Sequence, residues 1–247
     1  MGVEEADMTE RKLIVLDDAE GVARHVADWI VESAIAKKGR FAVSLSGGST
    51  PKRLYQILAE PAYQSRLPWK DVHWFWGDER MVSRDNELSN YRMTAQAMLN
   101  HVPVPPENIH GIRTEGLTAR ESAEDYEATL KSFYGSQRFD PAKPLFDITL
   151  LGIGPDGHTA SLFPGTAVLN ERSRWVAEVV GAKPEDRITL TYPTLASSAH
   201  VAFLLAGHDK QEILGKFMGE DQSLPSVHVD PVGELLVFTD KAATGKV

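Results

Sequence analysis

Short runs rich in β-branched and aromatic residues alternate with amphipathic helical patterns along almost the whole chain. The runs predict strands at residues 13–16, 41–45, 72–76, 146–153, 175–180, 201–205 and 235–238. A helix between two strands returns the chain to the end at which the first strand began, so that the two strands lie parallel. The alternation therefore predicts an α/β fold with a mostly parallel sheet.

The central strand pattern, FDITLLGIG, is apolar almost without interruption, as expected for a strand with helices over both faces. Two segments between strands each carry one apolar face, formed by Val22, Val26, Trp29, Ile30 and Ser33 and by Ala123, Tyr126, Leu130, Phe133 and Tyr134. Gly39 and Gly135 are predicted to end these helices. We predict a three-layer αβα sandwich around a doubly wound, Rossmann-like sheet. Residues 11–247 form one α/β domain in this prediction, after a flexible tail at residues 1–10.

The composition limits the partners that the chain can bind. A formal net charge of −9 repels nucleic acids and acidic membranes, so an anionic ligand needs a local basic pocket. No run of ~18 apolar residues and no charged-then-apolar leader appears, so we expect neither a membrane span nor export. The lack of cysteine excludes disulfides and thiolate nucleophiles and fits the cytoplasm. We expect a monomer or small homo-oligomer that binds a small molecule.

Ligands of parallel sheets bind beyond the carboxyl ends of the strands, so the turns after residues 45, 76, 153 and 205 are the candidate sites. The first turn contains Gly47 and Gly48, followed by Ser49 and by Thr50 as the predicted N-cap of a helix that starts at Pro51. Adjacent glycines let the backbone approach a ligand closely, and free amides at a helix start favour an anion. A tight turn without a ligand is an equally good interpretation.

The second turn brings Asp78, Glu79 and Arg80 directly after an aromatic strand, and Asn90 opens the next helical run. An arginine beside two carboxylates is most often part of a surface ion-pair cluster. At the carboxyl end of a strand, the same arginine is suited to bind a polarised carbonyl or a phosphate.

The third turn, GIGPDG at residues 152–157, matches the G-x-G-x-x-G pattern of dinucleotide sites, with Glu178 near the position of a ribose-binding acid. We favour this interpretation less, because Asp156 would face the pyrophosphate and the motif lies past mid-chain. His158 opens the segment HTASLF, which we predict to be helical. The positive end of a helix disfavours the protonated imidazole, and a neutral imidazole is what a general base needs. A structural role for His158 is the alternative.

Two further cations follow later turns: Arg187 opens the run RITLT, and Lys210 lies near the start of the last long helix. Each alone is an ordinary solvated charge, but with Arg80 they could form the local positive cluster that a phosphorylated ligand requires. The sequence contains no G-x-S-x-G nucleophile elbow and no histidine spacing typical of a metal site. Any hydrolysis would therefore use water directly.

These residues stand in motifs that resemble the glucosamine-6-phosphate isomerase/6-phosphogluconolactonase family over nearly the whole chain. The motifs, in chain order, are SLSGGSTP, WGDER, SNYRM, LLGIGPDGHTASLFP, RITLTYPTL and AGHDK, of which the fourth is the most specific. The deaminases of the family resemble GIGxDGHIAFNEP, with a glutamate five positions after the histidine. This chain has Phe163 there and Arg80 where deaminases tend to carry tyrosine, so the resemblance is to the lactonase branch.

That resemblance implies hydrolysis of 6-phospho-D-glucono-1,5-lactone to 6-phosphogluconate without a metal or organic cofactor. It implies His158 as the base, with Asp156 either orienting the imidazole or only forming the turn, and an oxyanion met by Arg80 or by backbone amides. The substrate-binding residues would be Gly47, Gly48, Ser49, Thr50, Asp78, Arg80, Asn90, Gly154, Arg187 and Lys210, with Arg187, Lys210 and the 49–50 helix start on the phosphate. The alternatives are an aminosugar-phosphate deaminase/isomerase, a non-catalytic sugar-phosphate-binding regulator and a nucleotide-binding oxidoreductase.

Overall fold

The computed structural model describes residues 9–245 of the chain. Its strands are β1 Arg11–Leu16, β2 Phe41–Leu45, β3 Val72–Trp76, β4 Asp78–Arg80, β5 Ile109–His110, β6 Phe146–Leu151, β7 Val176–Val179, β8 Arg187–Leu190, β9 Ser198–Leu205 and β10 Glu234–Asp240. Its α-helices are α1 Ala19–Lys37, α2 Ser49–Leu58, α3 Pro61–Gln64, α4 Asn90–Ala97, α5 Ala119–Tyr134, α6 Tyr192–Ala196, α7 Gln211–Met218 and α8 Lys241–Thr244.

The main sheet has seven strands in the order β1-β10-β9-β6-β2-β3-β5, and every neighbouring pair is parallel. After β1, which lies at one edge of the sheet, the chain forms β2 inside the sheet and then β3 and β5, which reach the opposite edge. It then returns to β6, on the other side of β2, and proceeds through β9 to β10. The strand order therefore reverses between β2 and β6, which makes the gap beyond their carboxyl ends the expected ligand crevice. The predicted parallel α/β fold is confirmed.

A second sheet is antiparallel, with three strands in the order β4-β8-β7. The sequence predicted a strand at residues 175–180 but not its separation from the main sheet, because a strand pattern does not identify the pairing partner. Gly77 joins the two sheets: its N–H donates to the carbonyl of Leu45 over 2.9 Å, and its own carbonyl accepts from the N–H of Leu190 over 2.9 Å. Helix α5 packs against this small sheet.

Local signals set the ends of the two longest helices. Asp18 caps α1 by accepting the N–H of Gly21, and the chain leaves that helix through Gly39 with a φ of 101°. Helix α5 starts at a capping box formed by Thr118 and Glu121 and ends at Gly135, whose φ of 80° is left-handed. The predicted stops at Gly39 and Gly135 are confirmed.

Several predicted boundaries differ from the structure, and two of them bear on the site. Helix α2 begins at Ser49 with Gly48 as its N-cap, so Thr50 lies inside the helix rather than capping it. The positive φ of Gly48, 114°, makes the turn two residues earlier than predicted. The strand predicted at residues 146–153 ends at Leu151, because Gly152 and the residues after it turn away into the loop that carries His158.

The predicted flexible tail falls mostly on residues 1–8, which lie outside the described residues. Of the tail's last two residues, Thr9 donates its backbone N–H to the carboxylate of Asp230 over 2.9 Å and its hydroxyl to the carbonyl of Pro231 over 3.1 Å. The tail and the single domain at residues 11–247 stay predictions. Within residues 9–245, no helix is both long enough and apolar enough to cross a bilayer.

A pair of histidines lies near the edge of the main sheet. The ring of His110 stacks on Phe75, with centroids 4.3 Å apart and planes at 8°, and its Nε2 lies 3.1 Å from Nδ1 of His73. Burial, together with the charge of His73, lowers the pKa of His110 to about 4. The fold therefore holds this imidazole neutral.

We expect His110 to make stability depend on pH. Because the unfolded chain binds this proton near pH 6.5 and the folded chain only near 4, stability falls as the pH is lowered through that interval. The loss should be roughly 1–2 kcal/mol after allowance for partial exposure. Urea unfolding at several pH values should show the advantage of the wild type over His110→Gln shrinking between pH 7 and 4. The exposed His25, as His25→Gln, is the control; a constant difference for His110→Gln would contradict the prediction.

Candidate active site

The turns after β2, β3, β6 and β9 converge on one cleft of about 370 Å³. It lies at the reversal of strand order between β2 and β6, as the topology requires. All the sequence-predicted site residues except Asp156 line it: Gly47, Gly48, Ser49, Thr50, Asp78, Arg80, Asn90, Gly154, His158, Arg187 and Lys210. The structure thus brings together residues that are up to 163 positions apart (210 minus 47) in the sequence.

The imidazole of His158 is held by Asp156. Its Nδ1 is hydrogen-bonded to Oδ1 of Asp156, and the same oxygen accepts the backbone N–H of His158 over 3.2 Å. Asp156 therefore forms the turn and orients the ring at once, and both proposed roles coexist. A carboxylate only accepts, so Nδ1 of the neutral imidazole carries the proton and Nε2 keeps its lone pair. The side chain of His158 is 28% exposed, and this residue lines the cleft.

The helix predicted to start at His158 is absent from the described residues 158–163, which form turns with an isolated bridge between Thr159 and Leu162. Ala160 has a φ of 47°, outside the helical region. The helix-dipole argument for a neutral imidazole therefore fails, and the hydrogen bond to Asp156 is what orients the ring.

The dinucleotide interpretation fails as well. The G-x-G-x-x-G turn is not followed by the helix N-terminus that a pyrophosphate needs, since residues 158–163 form turns. Glu178 lies in β7 of the small sheet and pairs with Arg174 at 2.8 Å.

Gly154 leaves room for the imidazole to lie against the backbone. A Cβ at this position would be 2.1 Å from both Cε1 and Nδ1 of His158 and 3.0 Å from Oδ1 of Asp156. Its N–H donates to the carbonyl of His158 over 2.9 Å, which closes the turn. Burial raises the pKa of Asp156, but the hydrogen bonds and charge of His158, helped by the charge of Lys183, outweigh it and hold that pKa below its ordinary value. Asp156 is therefore a stable anionic partner for the ring.

Glu79 is not part of a surface ion-pair cluster. It is 3% exposed and accepts the backbone N–H groups of Arg80, Asn90 and Tyr91 at 2.8 Å each. Burial raises its pKa, against the lowering effect of these three hydrogen bonds. It fixes the start of α4, so that Asn90 donates its side-chain amide to Asp78 and accepts from Nη1 of Arg80 over 2.9 Å.

Arg80 and Arg187 are directly paired residues on neighbouring antiparallel strands, so their side chains project from the same face. Burial, followed by the charge of Arg80, lowers the pKa of Arg187. The Nε of Arg80 is buried without a hydrogen-bond partner among the described residues. Two cations held side by side in this way are stabilised by an anion placed between them.

Lys210 is a further cation of the cleft, and its Nζ donates to the carbonyl of Ile153 over 3.0 Å. On the opposite segment, no side chain caps the start of α2 within the described residues, so the amides of Ser49 and Thr50 have no such partner. The separate solvated charges that the sequence allowed therefore lie in one cleft.

Sequence reasoning assigned no role in the site to Lys183 or Ser161, both of which line the cleft. Phe163, which the sequence analysis considered only as the position of the deaminase glutamate, lines it too. Ser161 donates its hydroxyl to Asp78 over 2.7 Å and so connects the His158 loop to the small sheet. Its place in the motif HTASLFP could have indicated it. Lys183 lies in the turn between β7 and β8, where the sequence offers only a lysine among glycine, proline and acidic residues.

This cleft defines an α/β protein with a carboxylate-oriented histidine beside a cluster of cations, an arrangement suited to a small anionic ligand. The family model described as glucosamine-6-phosphate isomerases/6-phosphogluconolactonase matches residues 17–238. The 6-phosphogluconolactonase of Nostoc sp. is 41% identical over 237 residues, which cover 93% of this chain and 95% of that protein. The chain belongs to this family.

Solved structures agree. The 6-phosphogluconolactonase from Trypanosoma cruzi has a TM-score of 0.83 and 28% identity, with 98% of each chain covered. A monomeric glucosamine-6-phosphate deaminase has a TM-score of 0.80 at 20% identity over 95% of this chain and 99% of that one. The second likeness shows a shared fold only, so the residues of the cleft have to separate the two activities.

We expect Gly154→Ala to displace the imidazole from Asp156, because the added methyl group would overlap the ring. A crystal structure of the variant should show His158 rotated away and its Nδ1 hydrogen bond lost. Gly152→Ala is the matched control, since a Cβ there has no atom within 4 Å. An imidazole still bonded to Asp156 in Gly154→Ala would refute the role assigned to this glycine.

Proposed function

We propose that this protein hydrolyses 6-phospho-D-glucono-1,5-lactone to 6-phosphogluconate, a step of the pentose phosphate pathway. One observation carries the proposal: a histidine oriented by Asp156 lines the same cleft as Arg80, Arg187 and Lys210. The neutral ester group of the lactone can lie beside the imidazole while the phosphate of the same molecule binds to the cations. Membership of the family supports the same substrate. A cytoplasmic location and a monomer or small homo-oligomer stay predictions.

In the proposed reaction, Nε2 of His158 takes a proton from a water molecule while the oxygen of that water attacks the carbonyl carbon of the lactone. The bond from the carbonyl carbon to the ring oxygen then breaks, and the imidazolium returns the proton to that oxygen. The resulting carboxylic acid ionises and releases one proton to solvent. Asp156 stabilises the imidazolium that forms in between. Because the lactone is an activated ester, one positioned base, worth ~10²–10⁴-fold, supplies much of the required acceleration.

The remaining roles, phosphate binding and stabilisation of the oxyanion, fall mainly to the cations of the cleft. Arg187 and Lys210, with the amides of Ser49 and Thr50, bind the phosphate, and Arg80 or free amides of the glycine turns meet the oxyanion. The N–H of Gly154 is not one of these amides, because it donates to the carbonyl of His158. Asn90 accepts from Arg80 and donates to Asp78, which fixes Arg80, and the pairing of Arg80 with Arg187 favours an anionic ligand. Gly47 permits the approach of Asn90, because a Cβ would lie 2.3 Å from Oδ1 of that residue.

The deaminase alternative lacks a proton carrier at the corresponding position. Phe163 is 6% exposed, and its ring centroid lies 4.7 Å from that of His158. A phenyl ring cannot exchange a proton, so the cleft is suited to one-base hydrolysis rather than to ring opening and amine chemistry. No group of three or more His, Cys, Asp or Glu side chains within residues 9–245 could hold a metal ion, and hydrolysis without a metal or cofactor stays a prediction.

We expect His158→Asn to lower kcat/KM for the lactone by about 10²–10⁴-fold, because asparagine cannot accept the proton of the attacking water. A pH-stat that follows proton release, corrected for spontaneous hydrolysis, measures this directly. His208→Asn, an exposed histidine outside the cleft lining, should keep the wild-type rate. Equal rates for His158→Asn and the wild type would eliminate the imidazole as the base. Tight binding of the sugar phosphate without turnover by the wild type would favour the regulator instead.

We expect Lys210→Met to lower kcat/KM for the phosphorylated lactone by about 10–100-fold, the usual effect of losing a hydrogen bond to a charged group. Its effect on unphosphorylated glucono-1,5-lactone should be small, because that substrate has no phosphate to bind. The comparison of the two lactones in the same pH-stat assay separates phosphate binding from chemistry. If both lactones lose the same factor, Lys210 does not act on the phosphate.

A further inference from the structure

Lys183 is a cation of the cleft that neither the sequence analysis nor the proposed mechanism uses. It lies in the turn between β7 and β8, and its side chain is 39% exposed. Its Nζ lies 3.8 Å from Oδ2 of Asp156 and 4.8 Å from the ring centroid of Phe163. Both neighbours also contact His158, so the ammonium group is on the imidazole side of the cleft.

The other three cations already donate to protein atoms. Arg80 donates to Leu88 and Asn90, Arg187 to Glu185, and Lys210 to the carbonyl of Ile153. Lys183, in contrast, makes no hydrogen bond within residues 9–245, since 3.8 Å is an ion-pair distance but too long for a hydrogen bond. Its three N–H donors therefore remain available to a ligand.

Hydrolysis creates a charge that the substrate lacks. The lactone is neutral at its carbonyl end, whereas the tetrahedral intermediate carries an oxyanion there and the product carries a carboxylate. Both negative charges form beside His158, where the water attacks. Arg187 and Lys210, which are assigned to the phosphate, cannot serve this end, because they bind the far end of the same molecule. Lys183 would therefore act here in addition to Arg80 or the turn amides.

We propose that Lys183 binds the carbonyl end of the ligand, meeting the developing oxyanion and the carboxylate of the product. This inference rests on the proposed function. The ring of Phe163 holds the ammonium group by a cation–π contact, and the second oxygen of Asp156 attracts it from the other side. One carboxylate thereby positions both the base and the cation, with one oxygen for each.

The test compares two ligands that differ only at this end. 6-Phosphogluconate carries the carboxylate, and glucitol 6-phosphate has the same carbon chain and phosphate with an alcohol in its place. The inhibition constant of each is measured at fixed ionic strength for the wild type, Lys183→Met and Lys183→Arg. Lys52→Met, an exposed lysine outside the cleft lining, controls for the loss of one positive charge.

We expect Lys183→Met to raise the inhibition constant of 6-phosphogluconate by about 10–100-fold and to change that of glucitol 6-phosphate by no more than about threefold. Both constants of Lys183→Arg should stay close to those of the wild type. The value of kcat/KM for the lactone should fall together with the affinity for 6-phosphogluconate. If Lys183→Met weakens the binding of both ligands equally, or the binding of neither, the inference is overturned. If Lys183→Met does not fold, as judged by circular dichroism, Lys183→Gln provides the same comparison.

Failure of the proposed function has a different signature. In that case the wild type itself would release no protons from the lactone, whatever Lys183 does. A wild type that hydrolyses the lactone, together with a Lys183→Met variant that binds 6-phosphogluconate normally, would refute only the role of Lys183.

Discussion

The reversal of strand order between β2 and β6 is the constraint on which the site depends. Parallel strands bring their carboxyl ends to one edge, and the reversal leaves a gap there that no crossover helix covers. The helix start at Ser49 and the turn that carries His158 open into this gap from its two sides. Polar groups that are far apart in sequence can therefore act on one molecule.

This negatively charged protein concentrates a few of its cations in one cleft, as the proposed binding of an anion requires. The formal charge of −9 is spread over the whole molecule, whereas Arg80 and Arg187 are directly paired on neighbouring strands. Buried Glu79 lies next to Arg80 without pairing with its guanidinium, since the carboxylate oxygens accept the backbone N–H groups of Arg80, Asn90 and Tyr91. Arg80 forms no ion pair within residues 9–245, whereas Arg187 lies 3.4 Å from a carboxylate oxygen of Glu185, so the charge of Arg80 in particular remains available to a ligand.

Sequence patterns predicted most of the main sheet, because apolar runs of five residues such as 41–45 and 72–76 are clear signals and match β2 and β3. They did not reveal β4, whose three residues are all charged, or the pairing of β7 with β8. The site motifs were found because glycine turns after strands are conspicuous. The helix expected at His158 was wrong, since HTASLF is compatible with a helix by composition and only its contacts fold it into turns. Lys183 was beyond prediction, because its position depends on how a loop of the small sheet lies over Phe163.

The two sheets have a consequence for how such a site can diversify. The paired guanidinium groups belong to the three-stranded sheet, while the imidazole belongs to a loop of the seven-stranded one. The hydrogen bonds of Gly77 and the bond from Ser161 to Asp78 join the two parts. The hairpin formed by β7 and β8 also reaches the Asp156–His158 pair, because Nζ of Lys183 in its turn lies 3.8 Å from Oδ2 of Asp156. A substitution in that turn would therefore change a cation of the cleft and the surroundings of the imidazole together, so the two properties are expected to diversify in concert.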